Sequence, residues 1–204
     1  MKSHRYIRRK ILCITVVLLA VSQRTAPASK DENSRTESHQ RAEVILLYQR
    51  NSGGWPKNYE REEKLSNKAR SKVLSEKNKN DAMIDNGATH TEIRLLADAY
   101  HETSDNRFRD AAIKGITYLL AAQYDNGGWP QRFPEPRGYA KHITFNDNAM
   151  IGAMSLLRDI LVDHKRFPFV SRDVRAQCGK AIESGISCIL KCQIKVNGRR
   201  TVWC

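Results

Sequence analysis

Apolar residues recur at helical spacing in several stretches of the chain, and no stretch of any length alternates with the two-residue period of a strand. The pattern predicts helices over roughly 34–50, 89–102, 107–124, 147–163 and 171–193. Thr89-His90-Thr91-Glu92 reads as a capping box opening the second of these, with a hydroxyl at the N-cap and a carboxylate three residues on. Ala149-Met150-Ile151-Gly152-Ala153-Met154-Ser155-Leu156-Leu157 is apolar on more than one side, which predicts deep burial. Tyr59–Asn80 is rich in Lys, Glu, Asn and Ser, and its mixed charges make it a solvated excursion rather than a basic nucleic-acid patch.

An internal repeat orders these helices. Trp55, Trp129 and Trp203 are spaced by 74 residues each time. Leu46-Leu47-Tyr48-Gln49-Arg50-Asn51-Ser52-Gly53-Gly54-Trp55-Pro56 matches Ala121-Ala122-Gln123-Tyr124-Asp125-Asn126-Gly127-Gly128-Trp129-Pro130 closely. The third copy is looser: Leu190-Lys191-Cys192-Gln193, then Asn197-Gly198, then Trp203, with extra residues before its tryptophan. In each, an apolar helix runs to a Gln and stops at a Gly, as helices commonly end. Helical hairpins in series cannot bury their apolar faces singly and must stack or close on one another. The predicted fold is therefore all-α, an (α/α) toroid of hairpin repeats, with an open solenoid as the alternative. Three first helices but only two second helices are found, so an incomplete toroid, a C-terminally truncated fragment, is expected.

With 204 residues, 40% hydrophobic and 28% charged, the chain suits one domain and a tail. The tail is the N-terminus. Met1–Lys10 is basic, Ile11–Ser22 is apolar, and Ala26-Pro27-Ala28 supplies small residues, the succession of a secretory signal over 1–28. The apolar run falls short of the roughly 20 residues of a membrane span, although a single anchor is the alternative. Residues 29–204 are then the mature, partial-toroid domain of a secreted protein, extracellular or periplasmic, with no membrane attachment after cleavage. The formal charge of +13 includes six Lys/Arg and no acid in 1–28, so 13 minus 6 leaves +7 on the remainder. A positive surface favours encounter with a polyanion. Cys178, Cys188, Cys192 and Cys204 lie in the last 27 residues. Cys188 and Cys192 share a helix face, and without the further ligands that zinc requires the four read as buried thiols.

The candidate chemistry lies in loops that lead into second helices. Asp85-Asn86 precede one and Asp147 the other, so in a ring of hairpins they emerge at the same end although 61 residues separate Asn86 from Asp147. Two carboxylates and an amide oxygen form a hard-oxygen set that favours calcium over zinc or copper. The alternative is that these residues only cap helices. The Gly-Gly-Trp-Pro turns also read two ways. Tryptophan packs over the hairpin in every repeat, which ranks the structural role first; yet Trp129-Pro130-Gln131-Arg132 also offers an aromatic face and a guanidinium suited to a sugar and its carboxylate. Arg132, found in one repeat only, is the more specific ligand contact. His101 and His164 sit near helix ends, where a cation is favourable.

Ile84-Asp85-Asn86-Gly87-Ala88-Thr89, Asn126-Gly127-Gly128-Trp129-Pro130-Gln131-Arg132-Phe133-Pro134 and His142-Ile143-Thr144-Phe145-Asn146-Asp147-Asn148-Ala149-Met150 resemble the family 10 pectate lyases, over about residues 41–204. The resemblance implies an (α/α) toroid that cleaves polygalacturonate to unsaturated oligogalacturonates by calcium-assisted β-elimination. It implies that Asp85, Asn86 and Asp147 form the calcium and substrate site, with Ca2+ held by all three; beside it the residues themselves offer Arg132 and Lys141 as basic groups for neighbouring uronates, and Trp129 and His142 as further candidate substrate contacts. It further implies a monomer when full length, with no nucleic-acid partner. The base in that family is an arginine further towards the C-terminus. No matching position precedes Cys204, so the chain by itself is expected to lack lyase activity, and a non-catalytic uronan-binding role stays open. Lys114-Gly115-Ile116-Thr117-Tyr118-Leu119 with Gln123, Gly127 and Trp129 also resembles the Gln-Trp repeats of triterpene cyclases. Against that stand the lack of an aspartate cluster and a mean hydropathy of −0.60.

Overall fold

The computed structural model describes residues 30–62 and 64–203, and the expected signal segment 1–28 and Cys204 lie outside them. The described residues form helices α1 (Lys30–Tyr48), α2 (Asn67–Ser75), α3 (His90–Thr103), α4 (Asn106–Ala121), α5 (Ala149–Val162) and α6 (Arg172–Lys191), and a short hairpin of β1 (Lys195–Val196) with β2 (Arg199–Arg200). Two 3-10 turns, Gly138–Lys141 and Asn146–Asn148, lie in the loop between α4 and α5. The fold is all-α, as the periodicity predicts. Among the described residues no helix is long and apolar enough to cross a membrane.

The helices stand in two rows. α1, α4 and α6 are neighbours in one row, and α3 and α5 are neighbours in the other. α3 packs on both α1 and α4, and α5 packs on α6. The tight hairpins are therefore α3–α4 and α5–α6, the pairs joined by short connections. The first helices α1 and α4 are joined to the second helices that follow them, α3 and α5, by long loops, and these partners pack less closely than the tight hairpins do. Burial follows the apolar stripes: Ile45, Ile93, Leu96, Phe108, Ile116, Leu119 and Met150 are among the largest fully enclosed side chains.

The repeat has a physical basis. Trp55 and Trp129 are 0% exposed, and each indole N–H donates to the carbonyl ten residues back, on Ile45 and Leu119 respectively, at 2.8 Å. The Gln49 amide donates to the Gly53 and Ala111 carbonyls, and that of Gln123 to the Gly127 and Ala181 carbonyls, at 2.8–2.9 Å. Each glutamine thus closes its own turn and fastens it to the next first helix. Gly127 (φ 91°) lies so close to α6 that a Cβ there would come 2.2 Å from the Ser184 carbonyl oxygen. Gly53 (φ 105°) meets the Lys114 carbonyl oxygen at 2.6 Å in the same way. Only glycine combines that backbone angle with so near an approach.

In the third copy the glutamine-to-tryptophan distance grows from six residues (123 to 129) to ten (193 to 203). The extra residues fold as the β1–β2 hairpin, turning at Asn197 and Gly198, both with positive φ. The Gln193 amide accordingly reaches the Thr201 carbonyl, and the Trp203 indole N–H reaches Ile189, fourteen residues back. Trp203 remains 45% exposed, so it closes its turn without burying it. The hairpin is a strand element that the periodicity did not predict.

Tyr59–Asn80 is also more than a solvated excursion. Ser66 caps α2 through its hydroxyl, and Val73 is buried. The Lys77 ammonium donates to the Leu46 and Gln49 carbonyls at 2.8 Å, which covers the free C-terminal carbonyls of α1. Burial, then the nearby charges of Lys114 and Arg50, push Lys77 down to about 8. Arg50, 3% exposed, forks onto Asp81 at 2.6 and 2.9 Å. Of the described cysteines, Cys178 and Cys188 are buried free thiols, whereas Cys192 is exposed.

Candidate active site

The loops that lead into α3 and α5 are stitched together by main-chain bonds. Met83 bridges to Trp55 on one side and to Arg132 on the other. The Ile84 N–H donates to Gln131 at 2.7 Å, and the Asn86 N–H donates to the Asp147 carbonyl at 2.8 Å. That last bond sets the Asp85-Asn86 turn beside Asp147. Both loops enter their helices through two consecutive left-handed residues, Asn86 (φ 51°) and Gly87 (82°) in one, Asp147 (52°) and Asn148 (56°) in the other. Asn, Asp and Gly tolerate that region because a short polar side chain, or none, relieves the Cβ clash.

Neither aspartate caps a helix: Thr89 and Asn148 occupy the N-cap positions of α3 and α5. Asp85 is 1% exposed; its Oδ2 accepts from the Lys57 ammonium at 2.8 Å, and its Oδ1 is buried without a hydrogen-bond partner. Asp147 is exposed and accepts from the Asn146 amide at 3.0 Å. Among the described residues no group of three or more His, Cys, Asp or Glu is arranged to hold a metal. Asp85, Asn86 and Asp147 offer oxygen ligands, and the Asp85 Oδ1 is a buried acceptor without a hydrogen-bond partner. The set fits a hard ion as a partial shell, because calcium takes six to eight oxygens.

The expected capping box does not form. Thr89 instead occupies φ 69°, ψ −56°, with the His90 N–H donating to the Ala88 carbonyl at 2.9 Å across a γ-turn. Its hydroxyl donates to the Met83 carbonyl at 2.8 Å and accepts from the Trp55 N–H at 3.1 Å. A β-branched residue at positive φ is strained, so those two bonds and full burial must hold it there. Glu92, 0% exposed, takes Arg61 at 2.7–2.8 Å and the Tyr59 hydroxyl at 3.1 Å instead of a helix N–H. Burial raises the Glu92 carboxyl against the opposing pull of Arg61. Tyr59 stacks on Tyr48 with ring centres 4.0 Å apart. A cavity of about 420 Å³ opens here, lined by Asn58, Tyr59, Glu60, Arg61, Glu62 and Asn86.

His90, 3% exposed, fills the space above Gly152, where a Cβ would come 2.2 Å from its Nε2. Burial, followed by the Arg94 charge, lowers it from 6.5 to about 4, against the backbone carbonyl of Asn148. The unfolded chain then takes up the proton more readily than the folded one. The stability that a neutral His90 contributes is expected to be fully present above about pH 6.5 and to be lost as pH falls towards 4, by up to about 3 kcal/mol. Urea unfolding at stepped pH should show this slope, and His90→Gln should flatten it; an equal slope in both proteins contradicts the assignment.

Several expected substrate contacts are relocated. Trp129 is enclosed and its N–H is used within the fold, so it cannot stack on a sugar. The Arg132 guanidinium donates twice to the Asn80 carbonyl, at 2.6 and 2.9 Å, pinning the two loops together. Lys141 and His142 are exposed at the end of the first 3-10 turn, and the Tyr124 hydroxyl holds the Lys141 carbonyl at 2.8 Å. The sequence pattern singles out none of Lys57, Tyr59 and Arg61, and it assigns Glu92 to a helix cap. Lys57 and Gln131 stand 74 residues apart, so the contrast between equivalent repeat positions was an available signal.

Helical hairpins stacked side by side in two rows define the α/α-toroid class. Within it, the chain belongs to the pectic acid lyase family, whose model matches residues 49–204. A mutant of the family 10 polysaccharide lyase from Cellvibrio cellulosa in complex with trigalacturonic acid superposes with a TM-score of 0.71 and 34% identity, over 86% of this chain and 54% of that one. A second structure of the Cellvibrio cellulosa enzyme gives 0.66 and 33%, over 87% and 56%. The chain therefore spans about half the length of these solved structures. No curated protein matches it. The family match sets the triterpene-cyclase alternative aside.

Proposed function

We propose that this domain handles pectate, the α-linked polygalacturonate chain, at the Asp85-Asn86-Asp147 site, as part of a calcium-dependent lyase that cleaves by β-elimination. The observation that carries the reading is the Asn86–Asp147 main-chain bond, which joins two loops whose carboxylates serve no helix. Asp85, Asn86 and Asp147 would hold the ion, with the uronate and water completing its shell. Calcium, when bound, supplies the positive charge that favours carboxylate binding and lowers the cost of the negative charge developing beside it. The chain's own residues bind and orient: Asn86 from the left-handed turn, Lys141 and His142 from the exposed 3-10 turn, and the positive surface in the encounter.

Proton abstraction needs a free basic group. Arg61 is committed to Glu92, Arg94 to Asp159 and Arg132 to Asn80. With none of these three guanidinium groups free to take a proton, the chain by itself is read as a uronan binder without turnover, and the full-length protein as a monomer. The test is to follow the absorbance of unsaturated uronate products with polygalacturonate and calcium. Binding without product is the expected result; sustained turnover by this chain contradicts the assignment of the base, and absence of binding contradicts the substrate.

Secretion is part of the same proposal, since pectate lies outside cells that consume it. N-terminal sequencing of exported protein should begin near Ser29. Intact Met1 on protein retained inside the cell contradicts it.

A further inference from the structure

Asp85 is an enclosed carboxylate with one cation on it, and that cation is a lysine. The Lys57 ammonium sits 2.8 Å from Asp85 Oδ2, and no other acceptor is described for it. An isolated buried carboxylate is costly, so some positive charge must accompany it. The other buried or half-buried carboxylate pairs of this end of the molecule use arginines locked by several bonds: Arg50 forks onto Asp81, and Arg61 makes two bonds to Glu92. Lys57 differs. Its side chain is 34% exposed, reaches Asp85 along a flexible stem, and makes a single point contact.

The backbone beneath it is fixed. Trp55, two residues before, is fully buried, bridged to Met83 and bonded to the Thr89 hydroxyl. The neighbouring Asn58 lines the cavity that also contains Asn86. Lys57 can therefore leave Asp85 by side-chain rotation alone and remain beside the place where a uronate would lie.

We infer that Lys57 is a resident counter-ion that competes with calcium for Asp85 and, once displaced, pairs with a substrate uronate carboxylate. The inference rests on the calcium reading of Asp85 given above and adds a coupling to it. A divalent ion on Asp85 makes the ammonium both redundant and repelled. Its departure supplies a positive charge to the uronate site only after the ion has arrived. Calcium and uronate then strengthen each other's binding partly through one side chain, and by linkage the effect is reciprocal. The opposite arrangement, in which Lys57 stays on Oδ2 and orients Asp85 for the ion as outer partners often do, predicts the opposite sign.

The test is calorimetric titration of calcium into the whole chain, with and without trigalacturonate, for wild type, Lys57→Met, Lys57→Gln and Asp85→Asn. Without the sugar, both Lys57 variants should bind calcium about tenfold more tightly than wild type. With it, the gain in calcium affinity should shrink, and trigalacturonate binding in saturating calcium should weaken. Unchanged or weaker calcium binding in the two variants, or shifts of opposite sign between them, overturns the inference and leaves the calcium site standing. Loss of fold in both overturns it too, since a counter-ion required for folding cannot be surrendered. Equal calcium binding by wild type and Asp85→Asn overturns the calcium reading itself.

Discussion

Trp129→Ala is expected to destabilise the protein by about 3–5 kcal/mol, whereas Trp203→Ala should cost less than about 1 kcal/mol. The contrast follows from burial. Trp129 is 0% exposed, and its ring reaches across to Gly185 in α6, where a Cβ would stand 3.1 Å from the indole. Truncation would empty that volume at the junction of two repeats and strand the Leu119 carbonyl that the indole N–H satisfies. Trp203 makes the corresponding bond to Ile189 but stays 45% exposed on the β1–β2 hairpin, so less apolar surface is at stake. Urea unfolding of the two variants measures both losses. Equal effects would contradict the structural reading of Trp129, as would a Trp129→Ala protein of wild-type stability with weakened sugar binding.

Asp147→Asn is expected to weaken calcium binding in the presence of trigalacturonate by at least about a hundredfold, because it removes one of two carboxylates from a partial shell. Its unfolding midpoint should hardly move. Asn is the suitable replacement because residue 147 has φ 52°, a conformation that Asn adopts easily and Ala does not. The carboxylate is exposed and accepts only from Asn146 within the fold, so little native bonding is lost. Asp85→Asn is predicted to act differently, since it also deprives Lys57 of its partner. Calcium titration together with thermal unfolding separates the two effects. An Asp147→Asn protein with unaltered calcium affinity removes Asp147 from the site.

The legible parts of this molecule are those in which neighbours in sequence decide the outcome. Helices α1 and α3 to α6 follow from apolar periodicity, and the first two tryptophan turns repeat because each indole N–H bonds to a carbonyl ten residues back, on Ile45 and Leu119. The pairing of Asp85-Asn86 with Asp147 was legible one step further, because equivalent loops of stacked hairpins leave at one end. Thr89-His90-Thr91-Glu92 shows where such reading stops. Its residue types suit a capping box, but each side chain has a stronger distant partner: Thr89 at Met83 and Trp55, and Glu92 at Arg61 and Tyr59.

By itself, then, the sequence determined the helices, their repeat, the family and the loops that bear the carboxylates, since periodicity, glycine turns and motif spacing are local properties. Only the tertiary structure decided that Trp129 and Arg132 serve the fold, that Lys57 stands on Asp85, and that Glu92 is sealed beneath Arg61. Those outcomes depend on which side chain wins each buried polar group. For Lys57, Glu92 and Arg132 that competition is settled between residues 28 to 52 positions apart, by desolvation and geometry that no local pattern encodes.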